Sequence, residues 1–128
     1  MQKLQYESSW DKTLSNKDRK IIEGIFLNTS LPNQNSIQFT SLWQAINHKG
    51  ELLVTVLVHN FSHQVCSFMN KKLRYIENND IFAEHTFTLP SLTVQPETSM
   101  PWTFIFPVES LNSHELLEDG RLEGLDAI

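Results

Sequence analysis

Apolar residues recur along this chain first with a helical period and then with strand periods. Ser15 stands three residues before Asp18, so a hydroxyl can cap free amides while a carboxylate sits near the positive end of a helix. Ile21, Ile22, Ile25 and Phe26 then share one stripe, set against Lys17, Arg19, Lys20 and Glu23. The pattern predicts a helix over about residues 15–28. Gly24 weakens it by about 1 kcal/mol relative to alanine, and residues 28–32 read as its exit.

After a polar spacer at residues 33–36 the period becomes two. Ile37, Phe39, Trp43 and Ala45 are expected on one strand face, interrupted by Ser41, with Leu42 and Ile46 on the other. His48-Lys49-Gly50 predicts a tight reversal, because Gly50 tolerates the positive φ of a short hairpin loop. Residues 52–59 are apolar on both faces: Leu52, Val54, Val56 and Val58 alternate with Leu53 and Leu57. That is the pattern of a central strand covered on both sides. A polar break at residues 60–64 precedes a strand over residues 65–76, whose Lys71, Lys72 and Arg74 imply one wet face.

Asn78-Asn79-Asp80 predicts a second hairpin turn, since Asn and Asp accept left-handed backbone angles. Its returning arm places Ile81, Ala83, Phe87 and Leu89 on one side, interrupted by His85, and Glu84, Thr86 and Thr88 on the other. Pro90 and Pro96 confine residues 91–95 to a short edge strand or extended connector. Met100, Trp102, Phe104 and Phe106 share a face of the last clear strand, bracketed by Pro101 and Pro107. Beyond Val108 the chain is acidic, though Leu111, Leu116, Leu117 and Leu122 allow one docked turn or short helix, and the tail from Gly124 is expected to fray. The fold class expected is mostly β: an antiparallel, immunoglobulin-like β-sandwich with an N-terminal α-helix. It forms a single domain over residues 1–128, with the helix at about 15–28, the β core at about 37–107 and a partly flexible C-terminal tail.

A net charge of −5 without a basic run excludes the electrostatic footprint of nucleic-acid binding and disfavours an anionic membrane surface. Lys71, Lys72 and Arg74 are the one weakly basic patch. No apolar run approaches the roughly 20 residues of a membrane span, and the N-terminal residues lack a signal-like apolar stretch, so membrane insertion is not expected. Cys66 is the only cysteine, which rules out an intrachain disulfide and fits a cytoplasmic location.

Candidate chemistry is sparse. His48, His59, His63, His85 and His114 form no compact ligand motif, so no metal is expected, although His59 and His63 flank one turn and could meet. Cys66 reads as a small buried residue rather than a nucleophile, for which nothing supplies an adjacent base. Glu77, Asp80 and Glu84 gather at a hairpin, where turn solvation explains them better than an acid–base pair. The scattered Gly24, Gly50, Gly120 and Gly124 exclude a phosphate loop, and no cofactor is expected. Trp43, Trp102, Phe104 and Phe106 fit core packing before they fit a ligand groove. Trp10, in a charged segment, either staples the start of the helix or marks an exposed contact.

Two stretches carry a family resemblance: Phe39-Thr40-Ser41-Leu42-Trp43-Gln44-Ala45-Ile46-Asn47-His48-Lys49-Gly50-Glu51-Leu52 and Met100-Pro101-Trp102-Thr103-Phe104-Ile105-Phe106-Pro107. They resemble the SLAP domain, the S-layer-associated domain of Bacillus-like Gram-positive bacteria, from about Trp10 through Pro107. The motifs are strand sequences and bring no catalytic signature. The resemblance implies an accessory protein of S-layer secretion or assembly; some relatives carry the domain in tandem, and this chain has length for one copy. The function expected is therefore a non-enzymatic protein-interaction module with an unidentified protein partner. A small-molecule-binding or hydrolytic domain with a histidine/carboxylate pocket is the alternative. Leu92, Thr93 and Val94 at the expected edge, together with Trp10, are the candidate partner-binding residues.

A fold with one thiol and dispersed histidines should not depend on a metal. Thermal unfolding with and without a strong chelator should give superimposable transitions, and a large loss of stability on chelation would refute the reading.

Overall fold

The computed structural model describes residues 2–29, 37–112 and 120–124. In chain order these form β1 (Lys3–Leu4), α1 (Ser8–Thr13), α2 (Asn16–Leu27), β2 (Ile37–Ile46), β3 (Leu52–Asn60), β4 (Cys66–Glu77), β5 (Asp80–Val94), β6 (Thr98–Phe106), a 3-10 turn at Val108–Ser110 and β7 (Arg121–Gly124). One sheet has the order β1-β6-β3-β2 and the other β5-β4-β7. Neighbouring strands run antiparallel except β1 and β6, which are parallel. The chain is thus mostly β with two sheets and N-terminal helices, an arrangement consistent with an immunoglobulin-like sandwich.

The helix expected from the apolar stripe is α2. Its cap is Ser15, whose Oγ accepts the Asp18 backbone N–H at 3.1 Å, and Ile22 is its fully buried residue. The shorter α1 was not anticipated, because six residues are too few to show a period. Glu7 caps it by accepting the Ser9 N–H at 3.0 Å.

β3 is the central strand that its double apolar pattern required. Leu52, Val54, Val56 and Val58 enter the core between the sheets, while Leu57 and His59, pointing the opposite way, are equally buried. The inter-sheet core is aromatic. Phe104 of β6 meets Phe39, Phe68 and Phe87 at ring-centroid distances of 6.0, 5.7 and 5.3 Å, and Phe87 also meets Phe106 at 5.0 Å. Most of these contacts are edge-on, the geometry that the ring quadrupole favours.

Bulges redraw several expected faces. In β2, Ser41 pairs with Val56 but Trp43 pairs with Thr55, so Leu42 is an extra residue. Phe39 therefore shares the inner face with Val58, whereas Trp43 and Ala45 sit opposite Thr55 and Leu53 on the outer face. The expectation that Phe39, Trp43 and Ala45 share a face is corrected: one inserted residue inverts the alternation. In β4 a second irregularity at Met69 and Asn70, where Asn70 has φ 56°, shifts the register so that Lys71 pairs with Phe87. A wet face for Lys71 is corrected for the same reason.

Pro90 and Pro101 lie inside strands, whereas Pro96 and Pro107 lie just outside them, Pro107 at the end of β6 as expected. Pro90 falls within residues 90–92 of β5, which have no partner on β4 because Ser67 pairs with Thr93 and Phe68 with Leu89. Pro101 lies inside β6 opposite Leu57. The turn at Asn78 and Asn79 is as expected: both have positive φ, 51° and 66°, and the flanking Glu77 and Asp80 are paired, the geometry of a two-residue primed turn. At the C-terminal side, the 3-10 turn is followed by Leu111, which packs on the core as the expected docked turn would, and Leu122 lies in β7, buried opposite Tyr75. One apolar residue in a four-residue strand leaves no periodic trace. Leu116 and Leu117 lie outside the described residues. Gly120 leads into β7 where a Cβ would collide with the Tyr75 ring.

Phe104→Ala should cost about 3–5 kcal/mol, because it empties the centre of the aromatic cluster. Urea denaturation should show a clearly lowered midpoint. An unchanged midpoint would mean that the ring is not buried.

Candidate functional site

Leu92, Thr93 and Val94 lie in β5, an edge strand of the three-stranded sheet. Leu92 and Val94 are fully buried in the inter-sheet core, and Thr93 between them is exposed. A partner at this edge would meet backbone groups and Thr93, not the two apolar side chains. Trp10 is half-buried in α1, on the segment that follows β1 of the other sheet. The structure does not bring the two candidates together as one surface.

A second edge was missed at the sequence level. The Lys3 N–H donates to the Glu97 carbonyl at 3.0 Å and the Gln5 N–H to the Ser99 carbonyl at 2.9 Å. Odd-numbered residues of β6 therefore aim their backbone groups away from β3. Pro101 thus places its missing N–H on the free side and costs the β3 ladder nothing. Among the described residues β1 covers this edge only at Thr98 and Ser99, leaving Thr103 and Ile105 beyond it, with the Ile105 side chain 49% exposed.

On the outer face of the four-stranded sheet, His59 forms a buried polar centre. Its Nδ1 is 2.6 Å from Ser99 Oγ, its Nε2 is 2.8 Å from Thr40 Oγ1, and the ring stacks on Phe61 at 5.2 Å. Gln2 Nε2 donates to Ser99 Oγ at 3.1 Å. Phe26, Leu27 and Thr29 of α2 and the residues after it face this centre across a cleft of about 290 Å³. Burial pushes the imidazole down from 6.5 to about 4, so it is neutral at pH 7. The arrangement superficially suggests a serine nucleophile with its base, yet the second nitrogen meets a hydroxyl where acyl-transfer chemistry wants an orienting carboxylate, and Ser99 is itself fully buried. It satisfies a buried imidazole.

His63, which could have met His59, instead lies 3.1 Å from Glu97 Oε1 through its Nδ1. It stands beside a larger cleft, of about 560 Å³, where the chain crosses from β3 to β4; Ser62, His63, Gln64, Cys66, Ser67 and Lys71 line it. Burial pushes the Cys66 thiol up, against the opposing pull of the Lys71 charge, so the group stays protonated at neutral pH. The hairpin carboxylates are divided: Glu77 is buried and accepts the Tyr75 hydroxyl at 3.2 Å, while Glu84 pairs with Lys72 at 3.2 Å and Arg74 at 2.9 Å. Hydrogen bonds from those two cations hold the Glu84 carboxyl below its ordinary value. Among the described residues no three histidine, cysteine or carboxylate side chains gather as a metal site would require, and no helix is long and apolar enough to cross a membrane. His114 lies outside the described residues.

Compared with models of known families, the chain matches the one described as SLAP domain over residues 4–121, nearly its whole length. No curated protein and no solved structure matches it.

The buried imidazole makes stability depend on pH. Above 6.5 His59 is neutral both folded and unfolded, and its environment costs nothing extra. As pH falls below 6.5 the unfolded chain takes up a proton that the folded chain refuses, so stability declines until the buried ring itself protonates near 4. The loss across that window should reach about 3 kcal/mol. Urea midpoints measured from pH 7 to pH 4 should fall more steeply for the wild type than for His59→Asn; parallel profiles would remove His59 as the cause.

Proposed function

Because the chain belongs to the SLAP domain family, an S-layer-associated family, we propose that it is a non-enzymatic protein-interaction module serving as an accessory factor in S-layer protein secretion or assembly. The family match over residues 4–121 is the observation that carries this reading. The sheet edges at β5 and β6 are physically suited to it. An edge strand offers unpaired backbone groups that give generic affinity, and the side chains beside it select the partner. Thr93 on β5 and Ile105 on β6 are such flanking side chains. A cytoplasmic location fits the single, protonated Cys66.

Capture from lysate of the native host, with the purified chain as bait and Trp102→Ala as control, should enrich an S-layer or secretion component. Amide exchange on the recovered complex should then show new protection along an edge strand, at residues 92–94 or 103–105. Protection confined to α2 would replace edge pairing with helix-mediated binding. Failure to enrich any such component would count against the accessory role.

A further inference from the structure

We propose that the cleft at the crossing from β3 to β4 binds the carboxylate of an apolar peptide segment, with Lys71 as the anion-recognising residue. The inference starts from the irregularity at Met69 and Asn70, which turns Lys71 to the face of β4 that it shares with its cross-strand partner Phe87, a core residue. A lysine with inward backbone parity must run its aliphatic stem along the apolar interior and bring its ammonium out where water reaches it. The open end of the sandwich provides that exit, and Lys71 accordingly lines the cleft.

Its neighbours on the strand are treated differently. Lys72 and Arg74 both pair with Glu84, whereas half-buried Lys71 has no ion-pair or hydrogen-bond partner among the described residues. Three ammonium donors thus face a cleft of about 560 Å³ whose other polar lining includes the Ser67 hydroxyl and the Gln64 amide. No carboxylate is among the described lining residues, and the His63 of the lining pairs with Glu97. At the mouth stands Val65, 54% exposed, with half-buried Ile37 beside the cleft. A cation set among donors and flanked by apolar side chains complements a carboxylate carried on an apolar residue, and the volume suits a few residues of extended peptide.

The site rests on the protein-interaction reading and specifies the partner's chemistry, so the test separates the two. The first measurement follows backbone amide shifts of the 128-residue chain during titration with three acetylated peptides: Thr-Val-Val with a free C-terminus, Thr-Val-Asp-Val amide and Thr-Val-Val amide. The expected result is saturable shifts at Cys66, Ser67 and Lys71 with one or both carboxylate peptides and none with the neutral amide. The arm that responds identifies whether a chain terminus or an acidic side chain is read. Lys71→Gln should weaken the interaction roughly tenfold, the worth of one charge-assisted hydrogen bond, while Lys72→Gln should leave it unchanged. Raising salt from about 50 to 500 mM should weaken it severalfold. Equal response to the neutral amide, no response to any peptide, or full binding by a folded Lys71→Gln chain would overturn the proposal. In the host capture, equal recovery of a partner by wild type and Lys71→Gln would overturn this site and leave the interaction role standing. Specific recovery by neither would remove the role itself, whatever the peptides do.

Discussion

The structure is organised around β3, the strand that both layers of packing must share. Its even-numbered residues, Leu52 to Val58, build the wall against which the second sheet packs, and its odd-numbered residues carry Leu57 and His59 under the helical side. A strand buried on both faces can hold no exposed polar group, so its one ionisable residue is kept neutral and bound at both nitrogens. Pairing on both edges fixes the remaining freedom, since β2 and β6 hydrogen-bond to it along its whole length.

The crossing of the chain between sheets depends on a second buried polar residue, Asn60 at the end of β3. Its Nδ2 lies 2.7, 3.0 and 3.2 Å from the carbonyls of Gln64, Val94 and Gln95, and its Oδ1 accepts the Ser62 N–H at 3.0 Å. One side chain thereby ties the loop leaving β3 to the corner where β5 becomes β6. At that corner Glu97 adopts φ 53°, an unusual angle for a residue with a Cβ, and its N–H donates to the Ser62 carbonyl at 3.2 Å. The geometry of the 560 Å³ cleft follows from this knot, because Ser62 and Gln64 are both part of it.

Much of this was legible where a single period ran undisturbed. The double apolar pattern of β3, the Ser15 cap and the paired asparagines of the hairpin turn each express local chemistry that tertiary structure had no reason to override. The sequence was opaque wherever a bulge intervened. Nothing in Ser41-Leu42-Trp43 marks Leu42 as the inserted residue, yet that insertion sends Trp43 outward, and the positive φ of Asn70 likewise inverts Lys71. Asn60 read as a polar break because its role is long-range: the carbonyls of Val94 and Gln95 are more than thirty residues away. The candidate site was less legible than the fold for the same reason, since its lysine faces the cleft only after a register shift.

His59 and Lys71 show two ways in which this sandwich accommodates an ionisable side chain of inward or covered parity. An imidazole can shed its proton, and hydroxyls on both sides then satisfy what remains, so His59 is complete within the fold. Lys71 is instead carried to the cleft, where its three N–H donors meet hydroxyl neighbours that match them poorly. Glu84 lies on the other face of the sheet, where Lys72 and Arg74 share it, and Glu97 pairs with His63. Cys66, beside it, is held protonated by burial and supplies shape rather than charge. What remains is a donor set left open among the described residues, in a cleft shaped by the Asn60 hydrogen bonds, and that is the condition under which a second molecule's carboxylate adds an interaction instead of replacing one.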